Sequence, residues 1–186
     1  MGDGTTRRNI TVFGHRGARG IYPENTMAGF QYLQDIGINA VEFDVQNAAN
    51  RLTIIAHDPY VTMPDGASGE MRSQLIRHTK ARDLTKLKVG ALSLRSDYTI
   101  QFPDQARLPD ARIPTFATFC AWAAQHPLLM LNVEVKSHAE QADLYDPPEI
   151  IVSDVVDLLG KHNLCHRCIL SSFDWRVLLA CAKRAP

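Results

Sequence analysis

Apolar residues recur along this chain with two periods, and the switches between them mark its elements. Ile10–Phe13 is a short apolar run that reads as a strand and ends in GHRGARG. Met27, Phe30 and Leu33 then recur at helical spacing, behind Thr26 as a cap and ahead of Gly37 as a stop. Further strands are expected at Ala40–Val45, at Leu52–Ala56 ending on His57, at Leu129–Val135 ending on Lys136, and at Cys168–Ser171. Between them the spacing predicts a helix from Pro114 through Ala124, with Phe116, Phe119, Cys120 and Ala123 facing inward. Another runs over Pro148–Leu159, with Asp146 as its cap and Gly160 as its stop, and a last helix starts near Asp174. Strands alternating with helices point to βαβ units and a parallel sheet.

Residues 58–112 break this rhythm. They are rich in Pro, Gly, Asp and Arg and offer one short helical candidate near Ala81–Leu87. A stretch of that length inside a domain reads as a functional loop or a small insertion. The rest amounts to about five βα units in 186 residues, whereas an eight-unit barrel takes ~250. A five-stranded doubly wound sheet has the same count; the chemistry below favours an incomplete (β/α) barrel over residues 9–186.

Charge narrows the partners. Lys plus Arg and Asp plus Glu are 20 each, so the formal net charge is zero. No global field recruits nucleic acid or an anionic membrane, and recognition of phosphate must be local. The sequence has no apolar run long enough to span a bilayer, and its first ten residues lack a signal-peptide core, which leaves the compartment open. Of the four cysteines, Cys165 and Cys168 form a lone C-x-x-C without the further ligands zinc needs; Cys168 reads as a small core residue.

The chemistry lies on two strands. In AVEFDV, Glu42 and Asp44 share one face while Val41, Phe43 and Val45 share the other; in LNVEVK, Asn132, Glu134 and Lys136 oppose Leu131, Val133 and Val135. Three carboxylates gathered on one face repel unless a cation neutralises them. Hard oxygen ligands make that cation Mg²⁺ or Ca²⁺. His15 and His57 each end a strand, the place where barrel enzymes keep their reacting groups, and as a pair they supply a general base and a general acid. Arg16 offers a bidentate grip on a phosphate, and Gly14, Gly17 and Gly20 would let the backbone come close to a ligand.

Taken together, GHRGARGIYPENT, AVEFDV, IIAHD, RIPT, LNVEVK and LSSF resemble, in order, the glycerophosphodiester phosphodiesterase family, with DLTKLKVG and QFPDQA also similar to it. The resemblance implies a TIM (β/α) barrel of the phosphatidylinositol-phospholipase-like type. It carries His15 and His57 onto the family's catalytic pair, and Glu42, Asp44 and Glu134 onto the ligands of one divalent cation. Arg16 and Lys136 fall on phosphate-contacting positions, Phe173 on an aromatic near the alcohol side of the substrate, and Glu24 and Asn25 on supporting positions. The implied reaction is hydrolysis of a glycerophosphodiester to sn-glycerol 3-phosphate and an alcohol, through either a cyclic glycerol phosphate or direct attack by water. A lysophospholipase D or sphingomyelinase D-like enzyme, or an inactive fragment of either, shares the same residues; the mixed, rather polar segment Tyr60–Arg112 favours a soluble substrate. The family continues through three more strands. The expected partner is therefore a small molecule, with no nucleic acid and no stable membrane insertion. Self-association is expected through uncovered edges at Ile10–Phe13 and Cys168–Leu170.

Overall fold

The computed structural model describes residues 10–64, 71–90 and 100–184. Its frame is a four-stranded sheet in the order β2-β1-β5-β6. Here β1 is Ala40–Asn47, β2 Thr53–Ile55, β5 Met130–Val135 and β6 Cys168–Ser171. β1 pairs in parallel with β5, and β5 with β6. Among the described residues the sheet stays open, with β6 bonded on one side only.

The alternation in β1 and β5 sorts the two faces as the sequence predicts. Val41, Phe43 and Val45 join Leu131, Val133 and Val135 in the main core, all buried. Four helices contribute to that core: α1 (Met27–Asp35), α3 (Phe116–Ala123), α4 (Pro148–Lys161) and, through Val177 and Ala180, the last helix. Phe43 is its centre, with ring centroids 4.3 Å from Phe119, 5.7 Å from Phe30 and 6.0 Å from Phe116. The helix starts follow capping chemistry, since Thr26 Oγ1 accepts from Gly29 N and Thr115 Oγ1 from Thr118 N.

Several elements differ from the sequence reading. Ile10–Phe13 forms no strand; only Gly14 bridges Val41. A parallel continuation of that bridge would set Phe13 beside Ala40, the first residue of β1, and residues 10–12 beside 37–39, ahead of the strand. The strand at Leu52–Ala56 exists as β2 but runs antiparallel to β1, with Val45 opposite Ile55 and Asn47 opposite Thr53. Only residues 48–52 separate the two, too few for a parallel crossover. Asn50 and Arg51 turn the chain with φ of 66° and 58°.

The expected long loop contains a hairpin of β3 (Tyr60–Pro64) and β4 (Met71–Leu75), then α2 (Ala81–Leu84), shorter than expected. The parts of this segment at 65–70 and 91–99 lie outside the described residues. Asp146 does not cap α4, which begins after Pro147; its carboxylate instead accepts from Asn47 Nδ2 at 2.9 Å and pairs with Arg77 Nε at 3.2 Å. Nor does Gly160 stop that helix: it runs to Lys161, and Asn163 (φ 55°) makes the left-handed turn beyond it. The last helix, α5, covers Trp175–Arg184. Among the described residues no helix is long and apolar enough to cross a membrane.

Candidate functional site

On the face of the sheet away from the helices, β1 presents Glu42 and Asp44, and β5 presents Glu134. Their register sets Asp44 beside Glu134, and one oxygen from each carboxylate lies within 4.8 Å of the others. Asp44 is 1% exposed. Two oxygens of these carboxyl groups, Glu42 Oε1 and Asp44 Oδ1, are buried without a hydrogen-bond partner; Lys136 Nζ stands 3.6 Å from the second. Burial, together with Asp44 and Glu134, pushes the Glu42 carboxyl up to about 7, against the pull of the Arg16 backbone N–H. Unpartnered hard oxygens converging in a buried place are a fit donor set for Mg²⁺ or Ca²⁺.

A tight turn after Gly14 brings the next groups in. A Cβ at Gly14 would sit 2.3 Å from Leu33 Cδ1, so this glycine permits packing on α1. Arg16 (φ 51°) and Gly17 (φ 79°) both take left-handed conformations, which aim the Arg16 N–H at Glu42 Oε2, 2.9 Å away. Gly20 is exposed with open space around it. The Arg16 guanidinium is held by Glu24 Oε1 at 2.9 Å and stands 3.4 Å from Asp44 Oδ2. Asn25 is buried, donates from Nδ2 to Asp44 Oδ2 at 2.9 Å, and so orients the carboxylate beside the cluster. Lys136 Nζ donates to Glu134 Oε1 at 2.8 Å.

The two histidines stand on different cavities. His15 Nε2 is 3.7 Å from Glu42 Oε2 and lines a cavity of about 320 Å³ with Asn132, Glu134, Ser171, Ser172 and Phe173. Burial, then the charges of Arg16 and Arg19, lowers its pKa, which favours the neutral imidazole. Phe173 is 92% exposed at the rim. His57 does not end a parallel strand as expected. Antiparallel β2 carries it back along β1, where Ala56 N donates to Asp44 O at 3.0 Å. It lines a second cavity of about 270 Å³ with Pro23, Glu24, Asn25, Ile55, Val61, Val89 and Ile113. Its Nδ1 is 2.7 Å from Asp58 Oδ1, and that bond holds the Asp58 carboxyl below its usual range.

Asp58 and Gln46 are the neighbours that sequence reasoning passed over. Adjacency to His57 marks the first, and the alternation that picks out Glu42 and Asp44 also picks out Gln46, one step further. Tyr145 is a third: buried, its hydroxyl pKa is raised by burial and by Asp58, Asp44 and Glu134.

A sequence profile of the Glycerophosphoryl diester phosphodiesterase family matches residues 15–186. A glycerophosphodiester phosphodiesterase of Caldanaerobacter subterraneus is 26% identical over 175 residues, 94% of this chain and 63% of the relative. The fold superposes on the crystal structure of a Silicibacter pomeroyi protein assigned as a glycerophosphoryl diester phosphodiesterase. Its TM-score is 0.83 and its identity 29%, over 95% of this chain and 62% of that one. It also superposes on an Oleispira antarctica phosphodiesterase in complex with its product sn-glycerol-3-phosphate, at TM-score 0.71 and 26% identity, over 95% and 63%. The chain thus spans just under two thirds of the length of these relatives, and its open sheet matches part of their barrels.

Proposed function

The chain belongs to the glycerophosphoryl diester phosphodiesterase family, and we propose that its site hydrolyses a glycerophosphodiester to sn-glycerol 3-phosphate and an alcohol. The observation that carries this reading is the cluster of Glu42, Asp44 and Glu134, with two buried oxygens left without hydrogen bonds, flanked by His15 on one cavity and His57 on the other.

The three carboxylates would hold one Mg²⁺ or Ca²⁺, which when bound supplies positive charge to a phosphate oxygen and to the attacking hydroxyl. Arg16 and Lys136 stand at the rim of the cluster to meet the remaining phosphate charge. His15, favoured in its neutral form, takes the proton of the attacking hydroxyl, whether that of the glycerol or of water. His57, with Nδ1 turned to Asp58, gives a proton through Nε2 to the departing alkoxide as the P–O bond breaks. Asn132, Ser171 and Ser172 line the His15 cavity with groups suited to glycerol hydroxyls, and Phe173 edges it.

The test is an assay with glycerophosphocholine under EDTA, then with Mg²⁺ or Ca²⁺. Metal-dependent release of choline is expected, and His15→Ala and His57→Ala should each lower kcat by about 10²–10⁴-fold with metal affinity kept. Full activity in both variants overturns the assignment of roles. A second reading, a lysophospholipase D-type activity, draws on the apolar wall of Ile55, Val61, Val89 and Ile113 beside His57. Preference for a lysophospholipid over glycerophosphocholine would select it.

A further inference from the structure

Gln46 is two residues beyond Asp44 on the same face of β1 and is 1% exposed. Its Nε2 lies 2.9 Å from the carbonyl oxygen of Ala56, 3.5 Å from that of His57 and 2.8 Å from that of Asp58. Three successive carbonyls that converge on one nitrogen describe a chain wrapped around the amide. The two short bonds use both N–H donors and flank His57 on either side. The opposite orientation of the amide would set Oε1 against three carbonyl oxygens, so the network fixes it. Oε1 itself is buried with no partner. An apolar side chain of the same size would avoid that cost, so what the amide contributes is its grip through Nε2.

Among the described residues, backbone bonds hold the turn at its two ends, the far one from Ile76 N to Pro59 O at 2.8 Å. β2 ends at Ile55, the Ala56 N–H makes the last bond to β1, and Pro59 has no N–H to give. The same turn sets Asp58 against Nδ1 of His57. The backbone that Gln46 grips therefore carries both the imidazole and the carboxylate that selects its tautomer.

We propose that Gln46 is a positioning residue for His57: by clamping the carbonyls of residues 56–58 it holds the His57–Asp58 pair in register with the carboxylate cluster. The role rests on the reading that His57 transfers a proton. Gln46→Met keeps the volume and removes the donor. Gln46→Asn keeps the amide but is one methylene too short to reach, and it carries the test if the first variant does not fold.

The first measurement is the ¹⁵N spectrum of the His57 ring in the full chain at alkaline pH, which needs no turnover. One tautomer, with the proton on Nδ1, is expected in the unsubstituted chain, and averaging between tautomers in both variants. Ring signals that are the same in all three overturn the proposal. The second is kinetic, with glycerophosphocholine and Mg²⁺. Each variant should lower kcat by about 10–100-fold, the scale of a small misplacement of a reacting group, with KM little changed. In a His57→Ala background the same substitutions should cost nothing further. Full additivity, or a change confined to KM, counts against the proposal. Absence of diesterase activity in the unsubstituted chain would sink the proposed function, and the ring spectra would still decide for or against Gln46.

Discussion

At the scale of single residues, the site is dominated by one unneutralised charge. Glu24, Glu42, Asp44 and Glu134 face Arg16, Arg19 and Lys136, and at Glu42 burial first, then the charges of Asp44 and Glu134, raise the pKa to about 7. The folded value lies above the ordinary 4.5, so the protonated acid stabilises the metal-free fold. That contribution is lost as pH rises from about 4.5 through about 7. A divalent cation acts in the opposite sense, because it must displace that proton. Its apparent affinity should fall towards tenfold per pH unit below about 7 and level off above. Calorimetric titration with Mg²⁺ and Ca²⁺ checks this; in Glu42→Gln the slope should largely vanish, and an unchanged slope would move the proton elsewhere. Arg16 gives a second expectation. Replacement by Lys keeps the charge and loses the fork, so KM should rise by about tenfold or more if the guanidinium holds phosphate. Unchanged kcat/KM would confine Arg16 to bracing Glu24 and Asp44. The carboxylate cluster is legible in the sequence because alternation on a strand is a rigid rule. The Gln46 grip on residues 56–58 is not, because it depends on β2 running backwards.

At the scale of elements, that reversal is the main lesson. Hydrophobic runs locate β1, β2, β5 and β6, but direction is set by connection length, and the five residues between β1 and β2 permit only a hairpin. The β3–β4 hairpin escapes notice because β4 is mostly polar and exposed, so periodicity carries no signal there. The caps divide in the same way. Thr26 and Thr115 act as the sequence suggests, whereas Asp146 finds a stronger claim in Asn47 and Arg77. Asp174, noted only as a helix start, is a buried cap: it accepts from the Arg176 N–H at 3.1 Å, from Ser137 Oγ at 2.8 Å and from the Arg176 guanidinium. The Arg176 bond above all holds its carboxyl at about 2, below the ordinary 3.8. The stability it contributes is therefore complete above pH 3.8 and is lost as pH falls through about 2. With Arg176 partly in solvent the gain is about 1–2 kcal/mol. Asp174→Ala should lower stability in denaturant titration at neutral pH by about that amount plus a lost cap, and the ionic part of the difference should fade as pH falls through about 2. Phe43→Ala, at the meeting point of three rings, should cost about 3–5 kcal/mol.

At the scale of the whole molecule, α1, α3, α4 and α5 pack on one side of the sheet and the carboxylates lie on the other, and among the described residues its β6 edge is open. The helix after that edge has two apolar sides. Val177 and Ala180 turn inward and are buried. Trp175, Leu178 and Leu179 recur at i, i+3 and i+4 on the outer side, with Trp175 73% and Leu179 57% exposed. Ile169 on β6 and Phe173 between the two elements are also exposed. A helix apolar on both sides is normally enclosed, and an unpaired edge beside it is a template for another chain. These 186 residues on their own should therefore self-associate reversibly, with a sedimentation coefficient that rises with protein concentration. Leu179→Glu and Trp175→Glu, both on the outer side, should shift the chain towards monomer without lowering its melting temperature, since neither side chain belongs to the core. If the unsubstituted chain stays monomeric to about 100 μM, where contacts worth ~5–6 kcal/mol would already show, this stripe is too weakly apolar to act as an interface. If the Glu variants remain associated, the contact runs through the β6 edge itself, and a charge placed at Ile169 is the substitution that should break it.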